Sequence, residues 1–579
     1  MGEAFSVVVD KDVPLPVRDG TILRADVCRP AGEGRWPVLL GRTCYGKDTW
    51  GAWIDPLRTA GQGYAVVIND TRGSFASGGE FHPFVHDADD GYDVVEWCAA
   101  QPWSDGKVGM FGSSAPGYLQ LLAAVAAPPH LVAIAPMQTW WSFGRGGVYD
   151  ADGAFTHYAQ EWALLQANID PARRLDRDRP GYARRRQVAA RAMWEKQRWF
   201  RHLPLRELPP LPPEVGEYYY RWLDHPDDDE YWRPMDVRPS YRHIGVPALH
   251  LVGWFDRLCR TTIDNYVGIM RDGATPAARE HQRLVVGPWP HGLPVITECG
   301  DEHYGPQGAV DVRGLVLRWY DHWLKGIDTG MLAEPPVRLF VHGEDAWRDE
   351  PSWPPPGARS IAWYLHSAGR ANGLDGDGRL SVDAPGAEPA DSYLHDPDDP
   401  VPSAPGMVER PRGAVDQRPI ERRQDVLVFT SPALQEDVEV VGPVTARLWA
   451  SSSAVDTDWM VKLVDVRPDG YARPLSHGMV RARYRESQSA PKPLVPGALY
   501  EYAVTLLPVA NRFRAGHRIR VEVASSSFPA FDRNLGTGNP LGSDDAGVTA
   551  VQLVHHDADH PSHVLLSVVP ARPEPPHAS

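Results

Sequence analysis

The 579-residue chain is poor in cysteine, has no long apolar run and carries no excess of positive charge. Its five cysteines, Cys28, Cys44, Cys98, Cys259 and Cys299, are scattered, odd in number and never spaced as CxxC. This spacing excludes a disulfide framework and a structural zinc site, and it reads as reduced thiols in a cytoplasmic protein. No apolar stretch of about 18 residues occurs, so no transmembrane helix is expected. The start, MGEAFSVVVDKD, lacks a basic segment followed by an apolar one, so it is not a secretory signal. Its Met-Gly is a weak match to an acylation site, because Ala4, Phe5 and Ser6 follow and no polybasic patch supports it. A net charge of −16 argues against nucleic acid as partner, since phosphates need a basic face, and the plain reading of that charge is solubility.

What is present is enough chain for two or three domains, with 56 prolines favouring loops and edges over a helical bundle. Residues 7–30 alternate apolar and polar around Arg18-Asp19-Gly20, the pattern of a hairpin. The runs PVLLGRT, AVVIND, KVGMFGSS and LVAIAPM read as buried strands, with helical stretches between them over 50–64, 87–101 and 115–127. This alternation predicts a mostly parallel sheet covered by helices on both faces. Residues 142–240 change to Arg-, Trp- and Tyr-rich text and read as a helical insertion. The α/β pattern resumes at VPALHLVGWFD and RLVVGPWP. After the Pro-rich PSWPPPGARS come short alternating segments without helices, which predict a β-sandwich or jelly roll. The expected fold is an α/β-hydrolase core (1–141 and 241–349) with an inserted helical cap (142–240) and a C-terminal β jelly roll (350–579).

Gly112-Ser113-Ser114-Ala115-Pro116-Gly117 lies between an apolar strand and an apolar helix, the context of a nucleophile elbow. The second glycine falls three residues after Ser114 instead of two. Ser113 is the rival nucleophile, and the glycine two residues before Ser114 favours the latter. A nucleophilic serine needs a base, and the base an orienting acid. Two later strands end in suitable groups, LHLVGWFD at Asp256 and LVVGPWPHG at His291, in the chain order Ser, acid, His. Read alone, Asp256 is equally a helix N-cap and His291 a solvent-exposed turn residue. Their joint occurrence in this order carries the assignment.

GWFD, GPWPHG and the Gly-x-Ser-x-x-Gly elbow together resemble the cocaine esterase/X-Pro dipeptidyl-peptidase (S15-type) group of serine hydrolases, also called CocE/NonD hydrolases. PVRDGTILRADVCRP, DTRGSFASGGEF, WASSSAVDTDWMVKLVDVRPDG and FRAGHRIRVEVASSSFPAFDRN extend the resemblance across nearly the whole chain. The resemblance implies the three-part architecture above and an oxyanion hole made by the Tyr45 hydroxyl and the backbone N–H of Ala115. Many members carry an aromatic residue after the nucleophile, and Ala115 opens that space here. Cys44 stands where proline is common and reads as a small buried thiol. The acidic stretch Asp227, Asp228, Asp229 and Glu230 resembles a cap motif that binds a substrate ammonium in amino-acid ester hydrolases, with a solvated acidic loop as the plain alternative. Asp70 and Arg72 are expected to brace the loop below the site as an ion pair. Trp140, Trp141, Trp162, Trp254 and Phe255 are expected to wall an apolar acyl pocket.

The expected activity is hydrolysis of a small-molecule carboxylic ester through Ser114, His291 and Asp256, without cofactor or metal. Amide or peptide cleavage of the dipeptidyl-peptidase or β-lactam acylase type, acyl transfer in a biosynthetic pathway, and a non-catalytic binding role on the same scaffold are the alternatives. Homo-oligomerisation is left open by the sequence.

Overall fold

The computed structural model describes residues 5–173, 181–292, 297–403 and 413–570. Residues 1–4, to which the acylation reading applies, lie outside the described residues. The first sheet has ten strands in the order β1-β2-β4-β3-β5-β6-β7-β8-β11-β12. Its members are β1 (Val7–Pro16), β2 (Ile22–Pro30), β3 (Trp36–Thr43), β4 (Ala65–Asp70), β5 (Ser104–Ser113), β6 (Leu131–Met137), β7 (Leu249–Phe255), β8 (Arg283–Pro290), β11 (Val337–Val341) and β12 (Ala346–Glu350). The short β9 (Glu298–Cys299) and β10 (Glu302–His303) pair only with each other. Strands β4, β3, β5, β6, β7, β8 and β11 run parallel, while the hairpin β1–β2 and the strand β12 add antiparallel edges. The central strands are buried along nearly their whole length and mostly apolar, because helices cover both faces.

On these faces lie α1 (Pro56–Ala60), α2 (Asp87–Ala99) and α3 (Ala115–Val125). Ten of the eleven residues of α3 are buried, so its sequence is apolar on every side where an exposed helix would show a stripe. Three acids, Asp87, Asp89 and Asp90, occupy the first turn of α2, where the helix dipole favours them.

The insertion contributes α4 (His157–Arg173), α5 (Tyr182–Trp194), α6 (Lys196–Phe200) and α7 (Pro213–Asp224). The sequence predicts a helical insertion from residue 142, but 142–156 form compact turns joined by the bridges Arg145↔Tyr149 and Tyr149↔Phe155. Here tertiary docking overrides local preference. Thr156 bridges to Phe531, the Asp532 N–H donates to the Phe155 carbonyl at 2.9 Å, and the Arg481 N–H to that of Asp152 at 3.1 Å. After the insertion, α8 (Cys259–Asp272), α9 (Pro276–Glu280) and α10 (Val312–Trp323) complete the helical layers.

Beyond residue 358 the chain forms a second, twelve-stranded sheet in which the pairings are antiparallel except for one short parallel contact. It is organised around a 15-residue strand, Val438–Ser452, that pairs with four others. Its own apolar core includes Leu448, Trp459, Val461 and Val564. A further cluster, joining Val252 and Trp254 of β7 to Val441, Ala510 and Val569, ties the two sheets together. No helix among the described residues is long and apolar enough to cross a membrane.

Candidate active site

The C-terminal ends of five parallel strands converge on one edge of the first sheet, the position where open α/β sheets bind ligands. Tyr45 follows β3, Ser114 follows β5, Gln138 follows β6, Asp256 follows β7 and His291 follows β8. Ser114 is the N-cap of α3 and sits at φ 66°, ψ −128°, a conformation that costs on the order of 1–3 kcal/mol for a residue with a side chain. The surroundings hold it there. Its N–H donates to the Met137 carbonyl at 2.9 Å, and its carbonyl accepts from Gly117, Tyr118 and the Thr139 hydroxyl.

The spacing of the two glycines has a steric cause. A Cβ on Gly112 would lie 2.6–2.8 Å from Pro116, and one on Gly117 would lie 2.6 Å from the Met137 carbonyl oxygen. The turn therefore requires both positions bare, and a second glycine three residues after the serine meets that need.

His291 Nε2 stands 3.1 Å from Ser114 Oγ, and His291 Nδ1 stands 2.9 Å from Asp256 Oδ2. Asp256 is fully buried, and its other oxygen accepts from the Leu258 N–H at 2.9 Å, so it also caps the turn into α8. Ser113 does not share this arrangement, because its hydroxyl donates to Gln138 Oε1 at 2.8 Å. Gln138 was not singled out in the sequence, yet it braces both sides of the site. Its Oε1 also accepts from the Gly292 N–H at 3.3 Å, and its Nε2 donates to the Pro290 carbonyl at 3.5 Å. The two backbone groups that flank His291 are thus tied to the strand end beside the elbow. The available signal was a polar residue directly after the apolar run LVAIAPM.

Tyr45 accepts a 2.9 Å hydrogen bond from the Trp162 indole, which turns the phenol O–H away from that indole. Ala115 is buried and supplies the first N–H of α3, which helix geometry leaves without an intrahelical acceptor. Trp162 packs among Phe84, Phe143 and Trp222, and this aromatic cluster forms the cap side of the site. Cys44 is buried, with the Gln166 amide 3.8 Å from its sulfur.

Several expected wall residues lie elsewhere. Trp254 is 2% exposed, donates its indole N–H to the Phe340 carbonyl at 2.7 Å and belongs to the cluster between the two sheets. Phe255 packs on His342, with ring centroids 5.2 Å apart, and on the residues around β9. Trp254 is a core residue because the C-terminal domain covers its side of β7, while Phe255 is half-buried against residues of the first domain. Trp140 and Trp141 are buried, the latter flanked by the guanidinium groups of Arg238 and Arg260.

The acidic loop is engaged locally. Asp229 bonds His225 at 2.6 Å and the Tyr231 N–H at 2.9 Å, and Asp227 accepts from the Tyr484 hydroxyl at 2.8 Å. The Asp228 N–H donates to the Gln488 carbonyl at 3.0 Å, and Glu230 pairs with Arg233 at 3.2 Å. Asp70 and Arg72 do not pair with each other as expected. Asp70 accepts from the Lys47 N–H and lies 3.5 Å from its ammonium, while Arg72 grips Asp90 and Asp19. Asp70 ends β4 while Arg72 lies in the turn beyond it, so strand periodicity does not align the two side chains. Burial pushes the Asp70 carboxyl up to about 6 despite Lys47.

The fold and the strained serine elbow define an α/β-hydrolase. Residues 19–293 match the X-Pro dipeptidyl-peptidase (S15 family) model, and residues 329–565 match the X-Pro dipeptidyl-peptidase C-terminal non-catalytic domain. The cocaine esterase of Rhodococcus sp. (strain MB1 Bresler) is 39% identical over 574 residues, covering 97% of this chain and 98% of that protein. Among solved structures, an aminopeptidase from a marine sediment Thaumarchaeota archaeon superposes with a TM-score of 0.80 at 26% identity, covering 98% of this chain and 97% of the other. An α-amino acid ester hydrolase does so with a TM-score of 0.78 at 26% identity, covering 97% of each. The chain belongs to the cocaine esterase/X-Pro dipeptidyl-peptidase (S15) family and is a serine hydrolase.

Proposed function

We propose that the protein hydrolyses a carboxylic ester through Ser114, His291 and Asp256. The observation that supports this most directly is the continuous 3.1 Å and 2.9 Å path from Ser114 Oγ through the imidazole to a buried carboxylate. His291 takes the Ser114 proton as Oγ bonds to the acyl carbon. Asp256 fixes the tautomer and stabilises the imidazolium. The phenol O–H of Tyr45 and the N–H of Ala115 receive the developing oxyanion, each donor contributing about 10²–10³-fold in rate. The carbon–oxygen bond to the alcohol then breaks, and His291 returns the proton to the leaving oxygen. Water, deprotonated by His291, attacks the acyl-enzyme, and the acid departs as Ser114 regains its proton.

An ester is favoured over an N-terminal peptide because Asp227 and Asp229 already serve Tyr484, His225 and Tyr231, so neither is held ready for a substrate ammonium. The C-terminal β domain is read as the jelly roll expected from the sequence. The five buried thiols support a cytoplasmic location.

The test is labelling with a fluorophosphonate followed by peptide mapping. The adduct is expected on Ser114, and it should vanish in Ser114→Ala together with p-nitrophenyl ester turnover. An adduct on Ser113, or turnover that survives in Ser114→Ala, refutes the assignment.

A further inference from the structure

Arg257 directly follows Asp256 in the turn from β7 into α8. Its Nε and Nη2 are buried, and among the described residues no acceptor bonds either one. Among those residues no carboxylate pairs with it either. What it touches is aromatic. The guanidinium carbon lies 3.3 Å from the ring centroid of Tyr158 and 5.9 Å from that of Trp140. Tyr158 in turn meets the His291 imidazole edge-on, with centroids 6.2 Å apart. The cation therefore sits one ring away from the imidazole that faces Ser114.

Arg257 and Tyr158 line a cavity of about 60 Å³, together with Thr156, Ala530, His477 and Phe531, where core, cap and β domain meet. The other charges on its wall have partners. Arg260 pairs with Asp152 at 2.9 Å, and Asp150 accepts from the Asp152 N–H at 3.2 Å. A guanidinium offers a planar fork of donors that matches a carboxylate, and buried charges are ordinarily paired. A ring face meets only part of that demand.

We infer that Arg257 binds a carboxylate carried by the substrate, so the preferred substrates are carboxylic esters that bear a second, anionic carboxylate group. The small cavity suits a compact anion, and Tyr158, which lines it beside Arg257, is the ring that meets the His291 imidazole. This inference rests on Ser114, His291 and Asp256 being the reacting set.

The experiment compares two matched pairs of esters. Methyl hydrogen glutarate against methyl pentanoate places the carboxylate on the acyl side, and 4-acetoxybenzoate against phenyl acetate places it on the leaving group. The ratio of kcat/KM within a pair is the readout. In the native protein one pair is expected to favour the carboxylate member by about 10–100-fold, the range of a charge-assisted hydrogen bond. That ratio should fall to one or below in Arg257→Met and take an intermediate value in Arg257→Lys, which keeps the charge but loses the fork. A native ratio at or below one in both pairs, or a preference that persists in Arg257→Met, overturns the inference. If Arg257→Met does not fold, the native ratios and Arg257→Lys still decide. Flat ratios with Ser114 labelled by fluorophosphonate reject the carboxylate site alone, whereas loss of labelling at Ser114 rejects the catalytic reading beneath it.

Discussion

Among the described residues, serine, histidine and aspartate side chains meet at two places. One is Ser114, His291 and Asp256 at the edge of the first sheet. The other is Ser367, His556 and Asp391 within the β domain, where the serine hydroxyl is 3.2 Å from His556 Nε2 and donates to Asp391 at 2.7 Å. The inventories are alike, but the arrangements are not. In the β domain the aspartate contacts both partners, since His556 Nε2 also lies 2.9 Å from Asp391, and its Nδ1 is taken by Glu388 at 3.2 Å. The serine hydroxyl proton thus goes to the acid, and no relay through the imidazole remains. Ser367 Oγ also accepts the Gly369 N–H, and His556 and Asp391 are 0% exposed. At the sheet edge the chain is strained to lift Ser114 out of the strand, the imidazole lies between serine and acid, and a helix N–H and a phenol stand beside it. A triad of residue types is therefore not a catalytic site. Order of contact, access and nearby donors distinguish the two.

The sharpest way to break this comparison is to truncate both serines. Ser114→Ala should lower kcat by on the order of 10⁴–10⁶-fold with little change in thermal midpoint. Ser367→Ala should leave kcat within a few-fold and cost about 1–3 kcal/mol of stability, because buried partners lose a hydrogen bond. Equal losses of activity would end the distinction. Next in size is Tyr45, the proposed oxyanion donor. Tyr45→Phe should lower kcat by about 10²–10³-fold with KM nearly constant, and an unchanged kcat would remove Tyr45 from the mechanism. A smaller effect is expected from Gln138→Ala, which frees the backbone around His291. A loss of about 10–100-fold in kcat with KM and thermal midpoint held marks a positioning role, while a lower midpoint with unchanged kcat marks a purely structural one.

The smallest effect is on stability against pH. Burial opposes a charge on His556, but Asp391 and Glu388 outweigh it and raise its pKa. Its contribution is present below the unfolded value of about 6.5 and is lost as pH rises through the folded value. Burial pushes His157 the other way, down to about 3, so folding loses stability as pH falls from about 6.5 towards 3. Urea melts at pH 5 and pH 8.5 should show His556→Gln costing more at the lower pH and His157→Gln costing more at the higher.

Much of the fold was legible because the strand periods and turn residues were unambiguous. LVAIAPM, RLVVGPWP and HVLLSVV become strands over those very residues. The elbow was legible only together with its partners: a glycine-flanked serine turn is more often structural, and Asp256 and His291 at later strand ends, in the order serine, acid, histidine, carried the assignment. The wall of the site was not. Trp162 and Trp254 look equivalent as text, yet one bonds Tyr45 and the other is sealed between two sheets.

The sequence by itself determined the order of strands and helices, the turn at Ser114 and the chain order of serine, acid and histidine, because each depends on local sterics or on position along the strand. Only the tertiary structure decided which of two serine–histidine–aspartate clusters presents a relay, that Gln138 braces His291, and that Arg257 meets aromatic rings but, among the described residues, no anion. Those facts depend on side chains brought together from distant elements, and no local pattern encodes such distances.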